Sequence, residues 1–456
     1  MGNITEKINS LDSWVVNDAN DVVGVQRANS GVFTEFIQRQ NEFERRERGA
    51  VQTLRVLAGA AQSQAAAFTY VNTVAVEGEY NAVRFCYANY GVGTYTITSA
   101  KTAASPSLTD NGTGLTWSSV TFDDVATAKC GDTWDGTLGA ATNYVVPAAI
   151  SGTGANTVPN LVWSDWIAQT PVPCTDAGME DLRLITHRVY SASTSYSVAN
   201  SSTSASNMGD YNANSRRKMF GLLVSGDQVG TISSQTPQAN WQWAMCVGFQ
   251  ALLIKPIYNH GVFGDAISKG QGSFDNNNGA WGWAQQGPQG LTDSGLGAHS
   301  VVNYAAAGQG KAATWANFLN VISQGGLDTA TMFPWSPTDG ISAGSSPWNL
   351  NNFKFHVRAF ISECRKYGAA PIIATQPPSI TITDSAGDAI RVAINAEIRA
   401  MKGVAIADFD AILSTNTSPA RYITGLTNTD NQHPSLLGHR AMAVEYQRAI
   451  RAALSL

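Results

Sequence analysis

From about residue 248 to residue 456, strand-like apolar runs alternate with amphipathic helical segments. No other feature constrains the fold as strongly, because strands separated by helices build a doubly wound α/β layer. The strand candidates are HGVFGD (260–265), HSVVNYA (299–305), TATMFPW (329–335), APIIATQPP (370–378) and VAIADFD (404–410). Between them, NLNNFKFHVRAFISECRKYG (349–368) and AIRVAINAEIRAMKG (389–403) carry apolar residues at helical spacing and stop at a Gly. The spacing predicts a closing helix within HPSLLGHRAMAVEYQRAIRAALSL (433–456).

Upstream, from about 67 to 247, the pattern is β-like. AVRFCYANYG, GTYTITSA, TGLTWSSVTF and NYVVPAAI are short runs rich in Val, Thr, Tyr and Phe, punctuated by Gly, Asn, Asp or Pro. They predict an antiparallel β-sandwich or jelly roll as an accessory domain. SASTSYSVANSSTSASN (191–207) reads as an exposed loop of low complexity. Residues 1–66 form a third piece. LDSWVVNDANDVVGVQRANSGVFTEF (11–36) suggests a small hairpin, and QNEFERRERGAVQTLRVLAGAAQSQAAAF (40–68) reads as a helix. Such pieces serve in attachment or assembly. The expected division is therefore 1–66, 67–247 and 248–456.

Composition removes several function classes. A net charge of −5 argues against nucleic acid as a main partner, since phosphate binding needs a basic face. Charged residues are 14% of the chain against a usual figure of about 25%, so much of the surface is neutral and polar. No apolar run reaches the ~20 residues of a membrane span, and no signal peptide opens the sequence, so the chain reads as soluble. Five cysteines, Cys86, Cys130, Cys174, Cys246 and Cys364, are widely spaced with no C-x-x-C pair, which disfavours structural zinc. Buried free thiols are the preferred reading, with one or two disulfides in the middle region as the alternative.

Four blocks in the last 200 residues carry chemistry. GDAISKG (264–270) follows a strand candidate and opens a helix. VVNYAAAGQG places Asn303 after a strand and Gly308 five residues later. MFPWSPTDG contains Thr338, and TDNQHPSLLGHRAM contains Asp430-x-x-His433 followed by Pro and a helix. In this order the blocks resemble the SGNH hydrolases, also called the GDSL esterase family, over nearly the whole α/β region. The resemblance implies an SGNH-type, flavodoxin-like parallel sheet with flanking helices. It also implies a triad with the nucleophile at position 266, His433 as general base and Asp430 orienting the imidazole. The backbone N–H of Ala266 and of Gly308 would bind the oxyanion, with Thr338 standing where the family has an Asn. Neither a metal nor an organic cofactor is expected, because a triad needs neither.

The family's serine is absent: Ala266 occupies its place. Ser268 is the disfavoured alternative nucleophile, since two residues at about 100° each turn it some 200° away. Lys269 is read as solvated and His439 as structural. Ala266 is either a serine replaced to trap an uncleaved substrate or the mark of a natural scaffold that binds without cutting. Retention of the Asp430–His433 pair favours replacement.

Aromatic residues beside amides, in WQWAM, NNNGAWGWAQQ and SSPWNLNNF, suit sugar rings. Trp281, Trp283 and Trp335, with Asp265, are the candidate substrate contacts. GDSL enzymes with an N-terminal β-sandwich include polysaccharide deacetylases, and 11–36 resembles N-terminal segments of phage tail proteins. These likenesses imply a virion-associated or extracellular esterase acting on an O-acetylated bacterial surface glycan, with assembly into a homo-oligomer or a virion. A non-catalytic glycan-binding or structural module is the alternative. A lipase or thioesterase is disfavoured for want of a long apolar lid segment.

Overall fold

The last five predicted strands form one parallel sheet: β1 (Ile257–Phe263), β2 (Ala298–Asn303), β3 (Thr329–Met332), β4 (Ala370–Ala374) and β5 (Ala405–Ala407). Their spatial order is β2-β1-β3-β4-β5, and every neighbouring pair is parallel. The structure is a computed structural model. It describes residues 50–55, 60–64, 67–76, 78–91, 93–107, 112–122, 144–146, 159–193, 196–200, 219–230, 243–255, 257–273, 282–305, 311–323, 326–333, 350–378, 385–415 and 417–456.

Seven helices are described with this sheet: α1 (Ala266–Lys269), α2 (Trp283–Asp293), α3 (Lys311–Ile322), α4 (Leu350–Lys366), α5 (Ser385–Ala400), α6 (Phe409–Leu413) and α7 (Leu436–Leu454). Successive strand residues point to opposite faces, and both faces are covered. Phe263 and Ile373 enter a core with Phe318, Phe353, Phe360 and Ile394, from α3, α4 and α5. Their neighbours Val262 and Ile372 enter a second core with Trp283, Phe409, Met442 and Tyr446, from α2, α6 and α7. Each fully buried aliphatic or aromatic side chain contributes about 1.5–3 kcal/mol. The result is a three-layer α/β/α arrangement whose strands read as continuous apolar runs because neither face meets water.

The preceding region is antiparallel. One five-stranded sheet places Cys246–Leu253 beside Tyr80–Asn89, with Asn160–Trp163 and Ile167–Ala168 on the other side of Tyr80–Asn89. A second orders Met219–Ser225, Phe68–Val76, Arg183–Ser191, Ser99–Ser105 and Ser118–Ser119. The two sheets meet where His187 of the second stacks on Phe85 of the first, ring centroids 4.1 Å apart. The Tyr87 hydroxyl lies 3.0 Å from the same imidazole. The change of architecture falls between Leu253 and Ile257, a few residues past the expected 248. Residues 51–456 make one compact unit that includes both architectures.

Two expectations are corrected. The helix read in 40–68 is not present in its described part, which forms the strands Ala50–Arg55 and Ala60–Gln64. Ala and Gln are good helix formers, but intrinsic propensity is a weak determinant, and pairing of Ala60–Gln64 with Tyr196–Asn200 overrides it. For the same reason 191–207 is not wholly loop: Ser191 ends one strand and Tyr196–Asn200 is another. Residues 11–36 lie outside the described residues. Cys86, Cys174, Cys246 and Cys364 are buried, and Cys130 lies outside the described residues.

Candidate active site

In an open sheet of order 2-1-3-4-5, ligands bind beyond the carboxyl ends of the strands where the order reverses, here beside β1. The block GDAISKG stands there. β1 ends at Phe263, and Gly264 and Asp265 lead into α1 at Ala266. Asp265 caps the helix: its carboxylate accepts the Ile267 N–H at 2.9 Å. The structure thus puts Asp265, only 3% exposed, to a different use from the substrate contact expected of it. Ala266 is half-buried, and as the first residue of α1 its N–H has no acceptor within the helix.

Ser268 faces the interior, as its helical offset predicts. Its side chain is fully buried against Gly264, where an added Cβ would come within 2.3 Å of the Ser268 hydroxyl. That hydroxyl finds no partner among the described residues and is closed off from substrate. Lys269 departs from the solvated side chain expected. It is half-buried, and loss of solvent pushes its ammonium down to about 8.

The second element is the loop before α7. Asp430 lies 2.6 Å from Nδ1 of His433 through Oδ2, while Oδ1 accepts the N–H groups of Gln432 (2.9 Å) and His433 (3.0 Å). Partial burial disfavours the Asp430 carboxylate. The His433 N–H, the imidazole and the Gln432 N–H outweigh it and hold the carboxyl below its ordinary range. An ionised carboxylate only accepts, so Nδ1 of His433 is the donor of this bond. Asn431 takes φ 54°, a left-handed conformation that Asn tolerates, and this closes the four-residue turn.

The two elements are held against each other. At Gly272, φ +91°, a Cβ would meet the Pro434 carbonyl at 2.5 Å and the His433 Cβ at 3.0 Å. The segment leaving α1 therefore lies directly on the Pro434 backbone and the His433 Cβ. His439, one turn into α7, is fully buried and fastens this contact. Its Nδ1 accepts the Trp283 N–H at 3.4 Å, so its Nε2 donates to the Gln271 carbonyl at 2.9 Å. Burial pushes His439 down to about 4, so it is neutral and structural. The Tyr422 hydroxyl donates to the Gln432 carbonyl at 3.2 Å, and it feels the negative charge of both Asp265 and Asp430. Neither His439's tie nor Tyr422 carries a local sequence signal, because both act across distant segments.

Asn303, at the end of β2, joins the site from the other side. Its amide donates to the Ser268 carbonyl at 2.7 Å and its Oδ1 accepts the Ala305 N–H at 3.0 Å. At the carboxyl ends of β4 and β5, the buried Arg391 bonds Asp388 at 2.7 Å and also Asp410, and Asp388 holds the Ala420 N–H at 2.9 Å. This network fixes the path toward the Asp430 loop. Gly308, Thr338, Trp281 and Trp335 lie outside the described residues. Trp283 is corrected: it is fully buried, edge-on to Tyr446 and Phe409, with its indole N–H on the Ile267 carbonyl. Its faces pack the core and none is open to a sugar. Among the described residues, no group of three or more His, Cys, Asp or Glu converges to hold a metal.

Among solved structures, the chain is similar to a lipase/acylhydrolase from Enterococcus faecalis, at 14% identity, 43% of this chain, 96% of that one and TM-score 0.35. It is similar to a member of the lipolytic G-D-S-L family from Veillonella parvula, at 20% identity, 42% of this chain, 97% of that one and TM-score 0.33. It is also similar to a variant of an acetyl xylan esterase from Geobacillus stearothermophilus, at 19% identity, 42% of this chain, 94% of that one and TM-score 0.31. No protein-family model and no curated protein matches the chain.

Proposed function

We propose that the α/β region is the scaffold of an SGNH-type serine esterase for an O-acetylated polysaccharide, held here in an inactive form by Ala266. The observation that carries this reading is the Asp430–His433 pair at 2.6 Å on a turn packed against the segment that leaves α1. A serine at position 266 would stand at the mouth of the strand end, where His433 Nε2 would take its proton and the residue's own N–H would face the developing oxyanion. Gly308 and Thr338 are the further oxyanion donors in this reading, and Trp281 and Trp335 the sugar contacts. The antiparallel region serves as a sandwich or jelly-roll accessory domain, and residues 1–66 as an attachment or assembly piece on a virion. No helix among the described residues is long and apolar enough to cross a membrane.

A second reading draws on Ala266 itself: a glycan-binding or structural module on a scaffold that has lost its nucleophile. The Ala266→Ser variant separates the two. With p-nitrophenyl acetate, the esterase reading expects turnover at least about 10³-fold above the chain as it stands, abolished by a further His433→Ala. A variant no faster than its parent overturns it and leaves the binding module.

A further inference from the structure

Outside this site, Arg84 is a cation that no carboxylate among the described residues neutralises. Arg84 lies on Tyr80–Asn89, its guanidinium carbon 4.8 Å from the ring centroids of both Trp163 and Trp166. Its Nε donates to Oε1 of Gln250 at 2.6 Å, and Gln250, directly across the ladder, is 2% exposed. Its two Nη nitrogens donate to none of the described residues, and none of the described carboxylates pairs with it. The contrast with the α/β region is direct: Arg391 and Arg399 each hold two carboxylates. Loss of solvent works against the Arg84 charge, in keeping with a cation fixed in place before any anion arrives.

The surroundings specify the missing anion. Two indoles and a buried amide lock the guanidinium plane, so the free Nη pair presents a rigid fork that matches a planar carboxylate. Trp166 is 39% exposed, and an exposed indole suits the C–H face of a pyranose ring. A chain of net charge −5 does not draw polyanions by its overall field, so recognition would rest on this fork. We propose that Arg84, Trp163 and Trp166 form a binding site for a pyranose bearing a carboxylate, with the acid on the Arg84 Nη pair and the sugar ring on Trp166. The inference rests on the glycan reading above and deepens it, by giving the antiparallel region an acidic sugar to hold.

The test is calorimetric titration of the full chain with a galacturonate trimer, the same trimer reduced to neutral sugars, and sodium sulfate. The uronate trimer is expected to bind at least about tenfold more tightly than the neutral one. Arg84→Gln and Trp166→Ala should each weaken it by roughly tenfold or more. Trp166 is partly exposed, so its variant reports on binding even if Arg84→Gln fails to fold. Equal binding of the neutral trimer, no binding of the uronate, or unchanged affinity in Trp166→Ala overturns the proposal. So does sulfate binding as tightly as the trimer, which would mark an adventitious anion. Turnover of p-nitrophenyl acetate by the Ala266→Ser variant does not use this site and should be unchanged by Trp166→Ala, so either reading can fail without the other.

Discussion

The antiparallel sheets and the α/β layer bury polar groups in different ways. In the antiparallel region polar side chains sit at the centre of the packing: His187 bonds Tyr87 and the Lys101 carbonyl, and Thr73 bonds Thr186. In the α/β layer both faces of the sheet pack into mainly apolar cores, and the buried polar side chains on its strands bond one another, as His260 does with Thr329 and His299. Its main charged network, around Arg391 and Asp410, gathers at the carboxyl ends of β4 and β5. Parallel strands linked by helices deliver every loop that follows a strand to one edge, and Ala266, Asn303, Asp410 and the Asp430 loop meet along it. Antiparallel strands turn back at both ends and collect no such edge, so the Arg84 cluster forms on a sheet face instead.

The largest expected effect places the chemistry in one region. In the Ala266→Ser background, Asp430→Asn should lower kcat by about 10⁴-fold, because Nδ1 of His433 would lose its acceptor and the ring its tautomer. A loss below tenfold would show that the pair does not act as a unit and would break the assignment of chemistry to the strand edge.

Next in size is the contrast between arginines. Arg391→Met leaves Asp388 buried without its cation and Asp410 with Arg399 alone, and should cost about 3–5 kcal/mol in urea unfolding. Arg84→Met strands no carboxylate but takes the donor from the buried Gln250 amide, and should cost less, about 1–3 kcal/mol. Equal costs would mean that Arg84 is structural.

Acid tests both regions at once. Burial pushes His187 down to about 3, against a weaker upward effect from the Lys101 carbonyl, and His439 down to about 4. The folded state therefore binds fewer protons than the unfolded chain, whose histidines titrate near 6.5. Stability is full above that value and falls as pH drops below it. Between pH 7 and pH 5 each histidine should remove about 2 kcal/mol, about 4 together. Unfolding midpoints at the two pH values measure this, and His187→Gln or His439→Gln should each remove about half of the slope. A slope that survives both changes would assign the acid response to other groups.

The smallest effect sharpens the packing at the site. Gly272→Ala must relieve both a left-handed backbone and the Pro434 carbonyl, and should cost about 1–3 kcal/mol by thermal unfolding. A neutral result would show that the segment after α1 is free to move off the His433 loop.

Much of the α/β region was legible because its signals are local. APIIATQPP and HSVVNYA read as strands since both faces are buried and the apolar run is unbroken. The Asp430-x-x-His433 spacing lies within one turn, and the inward rotation of Ser268 follows from helix geometry alone. RLITHRVYS (183–191) reads less clearly, because His187 and Arg188 are buried inside it. Their partners, Tyr87 and the Val229 and Gly230 carbonyls, stand about 40 to 100 residues away. Trp283 looked like a sugar platform beside its amides, and only the packing of Phe409 and Tyr446 around it assigns it to the core.

By itself, then, the sequence determined the elements whose hydrogen bonds and hydrophobic period close over a few residues: the long helices α4, α5 and α7, the five parallel strands, and the acid–histidine turn. Tertiary structure decided which polar groups could be buried, whether 50–64 would be strand or helix, and how the Gly272 segment meets His433. Those outcomes depend on partners that chain connectivity does not bring close, and a buried polar group is tolerated only where such a partner arrives.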